Sequence, residues 1–414
     1  MSANAATTVQ PQLPYVRATR FSALAFGACV ALVAFLYVDA SHLQRLNDFY
    51  GEAWPAYRLL FHGRFVAFLR RSPAYGGSLL LRAPFALLAS ALGASPQVVY
   101  AATAIPCLLT PALLAGHMAA ARRVESAPSA GPRSSRSLRP VDLFIISPPV
   151  MIAIVEGHPE EVLGAVLCVL AVLLACRGSG RAAGLALGIA LINKSWAIVA
   201  VPLVVALLPA DQRLRGIVTL LATAGAVMVP DTLLRAASLA SAGTSLGAQN
   251  SGIFLIPQLW WWFGRKSWLV REAHILLVLT DWLVTVVWWY ARAHSSRRIP
   301  NVAQALAMLA LVLFLRAALD PWDNAYYLAP FMLAVAVYED RPGFPRLTWL
   351  CALAILVTVV PDWQEHGLPA DAQAAAFSVF ALITIAWFGR LAFRSSAEPD
   401  ALAYAAAPAT SSPS

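Results

Sequence analysis

The chain has 414 residues, of which 59% are hydrophobic and 12% charged, and its formal net charge is +9. Soluble domains carry roughly 25% charged residues, so this chain lacks the polar surface to cover itself in water. The Lys and Arg excess does not mark a nucleic-acid binder, because these residues sit mainly in short loops between apolar runs, where they set membrane orientation.

The apolar segments lie at 20–38, 78–94, 97–121, 141–156, 160–176, 182–192, 195–208, 216–230, 273–291, 301–319, 325–338, 347–360 and 372–393. Many approach the roughly 20 residues a helix needs to cross a hydrocarbon core. The short alternating segments of a membrane barrel are missing. The fold class expected is all-α: a polytopic membrane helix bundle of about 10–13 hydrophobic segments, some of them half-helices. Segment 20–38, behind Arg17 and Arg20, reads as an uncleaved first helix. Residues 1–16 and the Ala/Pro/Ser-rich 395–414 read as disordered tails around one membrane domain, 17–394. The five cysteines lie in or beside apolar segments without metal-ligand spacing and read as small buried hydrophobes. No metal or other cofactor is expected from any motif.

Basic loops orient the ladder. Arg122, Arg123, Arg133, Arg136 and Arg139 mark one cytoplasmic loop; Arg177/Arg181, Arg213/Arg215, Arg292/Arg297/Arg298 and Arg341/Arg346 mark others. Both termini are then cytoplasmic, in the inner (plasma) membrane. Residues 182–208 are too few for two crossings, and a pair of half-helices meeting near Asn193–Lys194 is expected there. Segments 78–94 and 97–121 cannot both span on this count, so one is re-entrant or interfacial. The stretch Ile253 to Phe263 is expected along the membrane interface. Outer connections fall at 39–77 and 231–272, with tighter outer corners at Glu156–Glu161 and Asp320–Tyr327.

Four places carry polarity that a bundle in lipid does not need. The first outer loop holds Asp39, Asp48 and Glu52, with Asp48 and Glu52 four apart on one helix face. Such a carboxylate can act as a general base; the plainer reading is a solvated loop acid paired with Arg45 or Arg58. In SPPVMIAIVEGHPEE the run breaks at Gly157–Pro159, with Glu156, His158, Glu160 and Glu161 crowding the break. His158 can donate to a phosphate or carry a proton, whereas glutamates in a helix's first turn also follow from its dipole. Lys194, with apolar residues on both sides, needs a partner or an anionic ligand unless it snorkels to the headgroups. The corner RAALDPWDNAYYLAP gathers Arg316, Asp320, Asp323, Asn324, Tyr326 and Tyr327, with an intrahelical Arg316–Asp320 pair expected. Arg265 and Lys266, beside the tryptophans Trp260–Trp262 and Trp268, lie on the outer side against the charge bias and suit a lipid phosphate. Arg82 and Arg235 are weaker candidates of the same kind.

In this order, NDFYGEAWPAYRLLFHGRF, SPPVMIAIVEGHPEEVLGAVLCVLAVLLA, GLALGIALINKSWAIVAVPLVVAL and DPWDNAYYLAPFMLAVAVYE resemble the GT-C class of membrane glycosyltransferases. The likeness is to the actinobacterial polyprenyl-phosphate-mannose-dependent type, with its acidic Asp-Phe-x-x-Tyr region, Gly-polar corner, Gly-rich segment ending in Lys, and late outer corner. It implies transfer of mannose or another sugar from a polyprenyl phosphate to a lipid, glycan or protein acceptor at the outer face. It makes Asp48 the catalytic base, with Asp39 the alternative match. His158 and Lys194, with Arg265 and Lys266, would meet the donor phosphate. Asp39, Glu52, Glu160, Asp320, Asp323, Asn324 and Tyr326 would shape the sugar and acceptor site. Gly157–His158 stands where many relatives carry Gly-Gln, which leaves donor identity open. No phosphate-cradling GxxxxGK[ST] or GxGxxG is present, as suits a lipid-linked donor. The rival class is a secondary transporter or lipid flippase, which would also break a helix at mid-membrane.

Overall fold

The computed structural model describes residues 48–73, 76–125, 141, 144–242, 258–264, 268–293, 301–321, 325–340 and 369–394. Outside them fall the expected first helix 20–38, segment 347–360, both tails, Asp39, Arg265, Lys266, Asp323 and Asn324. Among the described residues there are helices and no strands. We number the α-helices α1 (Trp54–Phe61), α2 (Phe65–Arg71), α3 (Gly76–Ala91), α4 (Pro96–Glu125), α5 (Pro148–Glu156), α6 (Glu160–Cys176) and α7 (Gly180–Asn193). They continue as α8 (Val201–Leu207), α9 (Ala210–Ala242), α10 (Trp268–Arg271), α11 (Ala273–Ala293), α12 (Val302–Ala318), α13 (Ala329–Glu339) and α14 (Ala370–Phe393).

Among the described residues, four stretches are long and apolar enough to cross a membrane: Pro96–Gly116, Ala210–Leu234, Ala273–Ala293 and Ala370–Phe393. The last three turn Leu, Val and Ile outward, with Leu221, Leu279 and Leu382 all exposed, as helix faces against lipid must. The inner helices are different. From Ala303 to Ala318 every residue of α12 is buried, and so is all of α13. Helices apolar on every side belong in a core, and α12 and α13 pack on each other, with α6 against both and α14 over α12. A capping box starts α12: Asn301 Oδ1 accepts from the Gln304 N–H at 2.8 Å while Gln304 Oε1 accepts from the Asn301 N–H at 3.3 Å.

The break expected near Asn193–Lys194 is present. Helix α7 stops at Asn193, Lys194 is extended (φ −152°, ψ 126°), and a 3₁₀ turn, Ser195–Ala200, leads into the seven residues of α8. Helix α3, at 16 residues, is about 24 Å long and short of the roughly 30 Å hydrocarbon core, whereas α4 contains a stretch long and apolar enough to cross it.

Two expected loops are largely helical where described. In 39–77, α1 and α2 form because Pro55 sits in the first turn of α1 and Gly63, at φ 70°, ends it; Arg64 N–H bonds back to Leu59 O at 2.9 Å. Helix α1 then buries Ala56 and Tyr57 inward. The 231–272 connection begins as helix, because α9 runs through Pro230 to Ala242. Its Leu and Ala residues are strong helix formers, so the apolar run's end at 230 did not mark the helix's end.

The tryptophan stretch Leu259–Phe263 forms a 3₁₀ turn that clips helix ends together. Trp260 Nε1 donates to Leu319 O (2.6 Å), Trp261 Nε1 to Asp371 Oδ1 (2.9 Å) and Trp262 Nε1 to Ser378 Oγ (3.0 Å).

Helices α7 and α9 are in the tightest contact. Gly180, Gly184 and Gly188 recur every fourth residue on α7, forming one face. A Cβ on Gly184 would stand 2.2 Å from the Gly216 carbonyl oxygen, and one on Gly180 would stand 2.5 Å from Gln212 O. Small residues at this spacing let helix backbones touch in lipid, where apolar burial alone gives no drive to associate. Gly184→Leu is therefore expected to cost several kcal/mol, above the ~1–3 usual for overpacking, because backbone rather than a flexible side chain blocks it. Gly225→Leu, which meets open space, should change little. Thermal unfolding of the purified protein in detergent compares them.

Candidate functional site

The centre is the corner between α5 and α6. Helix α5 ends at Gly157, whose φ of 98° is open to glycine and strained for other residues. The His158 N–H bonds to Ala153 O and the Gly157 N–H to Ile154 O, a reversal that turns the chain inward. Pro159 then opens α6, and its first two residues, Glu160 and Glu161, are buried. Gly157 serves a second need: a Cβ there would lie 2.9 Å from the Phe49 backbone nitrogen. That close approach sets Asp48 beside the corner, with the Phe49 ring anchored 5.0 Å from that of Tyr100.

Here distant parts of the chain meet. His158 Nε2 lies 2.7 Å from Asp48 Oδ2, and His158 Nδ1 lies 2.8 Å from Glu160 Oε1. Lys194 Nζ bridges Glu160 Oε1 (3.1 Å) and Glu161 Oε1 (3.4 Å). Arg82 of α3 stands 3.1 Å from Glu160 Oε2, and Arg316 of α12 stands 3.9 Å from Glu161 Oε2. Asn193 Nδ2 donates to the Glu160 carbonyl oxygen at 2.8 Å. The Tyr326 ring lies 4.8 Å from that of His158. The Arg316 guanidinium sits 4.0 Å from the Tyr327 ring and 5.0 Å from that of Trp196, a cation–π arrangement that holds a buried charge.

Exposure divides the group. Glu160 and Glu161 are sealed, and Arg82, His158 and Arg316 nearly so, but the Asp48 side chain is 44% exposed. Its Oδ2 is fixed by His158, and Oδ1 has no partner among the described residues. Burial and the Lys194 ammonium press the His158 pKa down; the Glu160 charge and the hydrogen bonds to Asp48 and Glu160 outweigh them and push it up to about 9. The arrangement therefore offers an accessible carboxylate backed by a buried imidazolium. Chemically, that is a proton acceptor held in one orientation.

Of the residues singled out in the sequence, Asp48, His158, Glu160, Lys194 and Tyr326 are brought together. Glu52 is exposed on the turn Phe49–Ala53. Asp320 has His274 Nε2 of α11 at 3.4 Å, while Arg316 reaches Glu161 and donates to the Tyr327 carbonyl oxygen at 3.1 Å. Sequence reasoning ranked Arg82 low and gave Glu161 no role, since nothing in their spacing reveals a partner on another helix. It missed Asp281 altogether: in the middle of α11, it is fully buried and its carboxyl oxygens find no hydrogen bond among the described residues. A carboxylate inside an apolar run was the available signal. Among the described residues, no cluster of three or more His, Cys, Asp or Glu is arranged to hold a metal ion.

No family model matches the chain, and no match is found among curated proteins or solved structures. What the fold and composition define is a class: a helical membrane protein with a buried ion cluster at a helix corner.

The raised His158 pKa makes stability pH-dependent. A group whose folded pKa exceeds its unfolded value stabilises fully below the unfolded value, and that contribution is lost as pH rises through the folded one. Relative to His158→Gln, the parental protein should thus lose melting temperature between pH 6.5 and about pH 9. Parallel melting curves for the two proteins across that window would contradict the clamp.

Proposed function

We propose that the chain is a GT-C type glycosyltransferase of the inner (plasma) membrane, moving a sugar from a polyprenyl phosphate to an acceptor hydroxyl at the outer face. The observation that carries the reading is the half-exposed Asp48 carboxylate, held by His158 at 2.7 Å at the mouth of a buried ion cluster. Supporting it, the segments with the GT-C resemblance supply the cluster: Asp48 from the first, His158 and Glu160 from the second, Lys194 from the third and Tyr326 from the last.

The chemistry asked of these residues is modest. A polyprenyl phosphate is already a good leaving group, so no general acid is needed. The acceptor oxygen attacks the anomeric carbon as the carbon–oxygen bond to phosphate breaks, and the phosphate departs with the bonding electrons. Asp48 Oδ1 takes the hydroxyl proton and passes it to water. Attack opposite the leaving group inverts the anomeric centre. Lys194 and His158 are engaged by Glu160, Glu161 and Asp48, and the positive charge they bring to the corner offsets the charge that develops on the leaving phosphate. The GT-C resemblance also assigns donor contacts to Arg265 and Lys266 and sugar contacts to Asp323 and Asn324, which lie outside the described residues.

The helix break at Lys194 beside buried charges also suits a secondary transporter or lipid flippase. The two readings part on covalent product. Membranes carrying the Asp48→Asn protein, supplied with labelled lipid-linked sugar, should transfer label about 10²–10⁴-fold more slowly than the parent. Transfer at the parental rate removes Asp48 as the base; lipid movement without any transferred sugar favours the transporter.

A further inference from the structure

Glu160 has no exposed surface, yet its carboxylate gathers three cationic side chains from three parts of the fold. Oε1 takes His158 at 2.8 Å and Lys194 at 3.1 Å, and Oε2 faces Arg82 at 3.1 Å. Its backbone is fixed as well, because the Asn193 side chain donates to its carbonyl oxygen at 2.8 Å.

The imidazole between Glu160 and Asp48 is the informative part. A neutral ring carries one N–H and one lone pair. It would satisfy one of these two carboxylates and point its lone pair at the other. With both nitrogens within 2.8 Å of carboxylate oxygens, two ionised carboxylates are both satisfied only when each nitrogen carries a proton. The Tyr326 ring beside the imidazole limits how far it can tilt away.

We propose that Glu160 is the positioning residue of the site: by holding the His158 Nδ1–H it fixes the ring so that the Nε2–H is always presented to Asp48 Oδ2. Glu160 touches no substrate. It acts through His158, which in turn holds Asp48 Oδ2 and leaves Oδ1 for the acceptor. The inference rests on the reading of Asp48 as the base, but its own evidence is the geometry of the three side chains. Among the described residues, the charged and titratable groups around the ring include Asp48 before the Phe49–Ala53 turn, Glu160 and Glu161 of α6, Lys194 at the end of α7, Arg82 of α3 through Glu160, and Tyr326.

The test is side-chain nitrogen NMR of the full-length protein in lipid nanodiscs with labelled histidine, the His158 signals being assigned by their loss in His158→Gln. The parental ring should stay doubly protonated well above the ordinary histidine range. In Glu160→Gln its titration should fall by about one unit or more. Glu161→Gln, which removes a charge facing Lys194 and Arg316 rather than the ring, should move it less. Should Glu160→Gln fail to fold, Glu160→Asp keeps the charge one methylene further away, and it should retain part of the shift. A neutral His158 tautomer in the parent, or an unchanged titration in Glu160→Gln, overturns the proposal. These outcomes are independent of sugar transfer. A full rate in Asp48→Asn would sink the base assignment without bearing on the His158 titration measured in the parent and in Glu160→Gln.

Discussion

A carboxylate pair buried inside a bundle built for lipid is the constraint from which the rest of this structure follows. Glu160 and Glu161 are adjacent, so they begin α6 together, share Lys194, and otherwise point their charges to different neighbours. Removing a carboxylate from water costs several kcal/mol, recovered only with well-placed partners. Cations must therefore come from elsewhere in the chain: Lys194 from the end of α7, Arg82 from α3, Arg316 from α12 and His158 from the corner itself. Each partner joins another helix to α6. Taking away one member of such a set leaves a buried charge uncovered, at a typical cost of about 3–5 kcal/mol, so the cluster constrains the fold as well as the chemistry.

The helix packing makes these meetings possible. The glycine face of α7 lets its backbone touch α9, and the chain unwinds at Lys194 instead of continuing as helix. Unwinding frees backbone groups that lipid cannot satisfy, and it is tolerated here because the break lies against α6 and α12 inside the protein. At the opposite side of the site, Gly157 combines a left-handed turn with contact against the Phe49 backbone. Asp48 is thereby delivered to the edge of the cluster, where its side chain is 44% exposed. The sealed interior fixes charge, and the exposed carboxylate can use it.

Much of the fold could be read from the chain because apolar runs and basic loops report directly on solvent. The runs at 160–176, 273–291, 301–319 and 372–393 became helices within a few residues of those limits. Helical extensions were less visible: α1, α2 and the end of α9 are amphipathic or mixed, and hydropathy alone does not separate such helices from loops. At the site, Asp48, His158 and Lys194 stood out because a charge beside apolar sequence is costly wherever it ends up. Their partners did not. Arg82 lies 78 positions before Glu160, and Arg316 lies 155 positions after Glu161; pairing across such separations is decided by helix packing. Arg316 illustrates the limit well. Its spacing to Asp320 suits a pair along one helix turn, yet the fold offers it Glu161 and two aromatic rings.

The central claim is that this ion cluster is the inner wall of a sugar-transfer chamber with Asp48 at its mouth. An experimental structure with a polyprenyl-phosphate sugar and acceptor bound tests it most directly, through the distance from Asp48 Oδ1 to the acceptor hydroxyl. The account requires that distance to be within hydrogen-bond reach, about 2.6–3.2 Å, with the donor phosphate on the Lys194 side. A lipid phosphate bound on another face of the bundle, with the Asp48–His158 contact remote from it, would contradict the account.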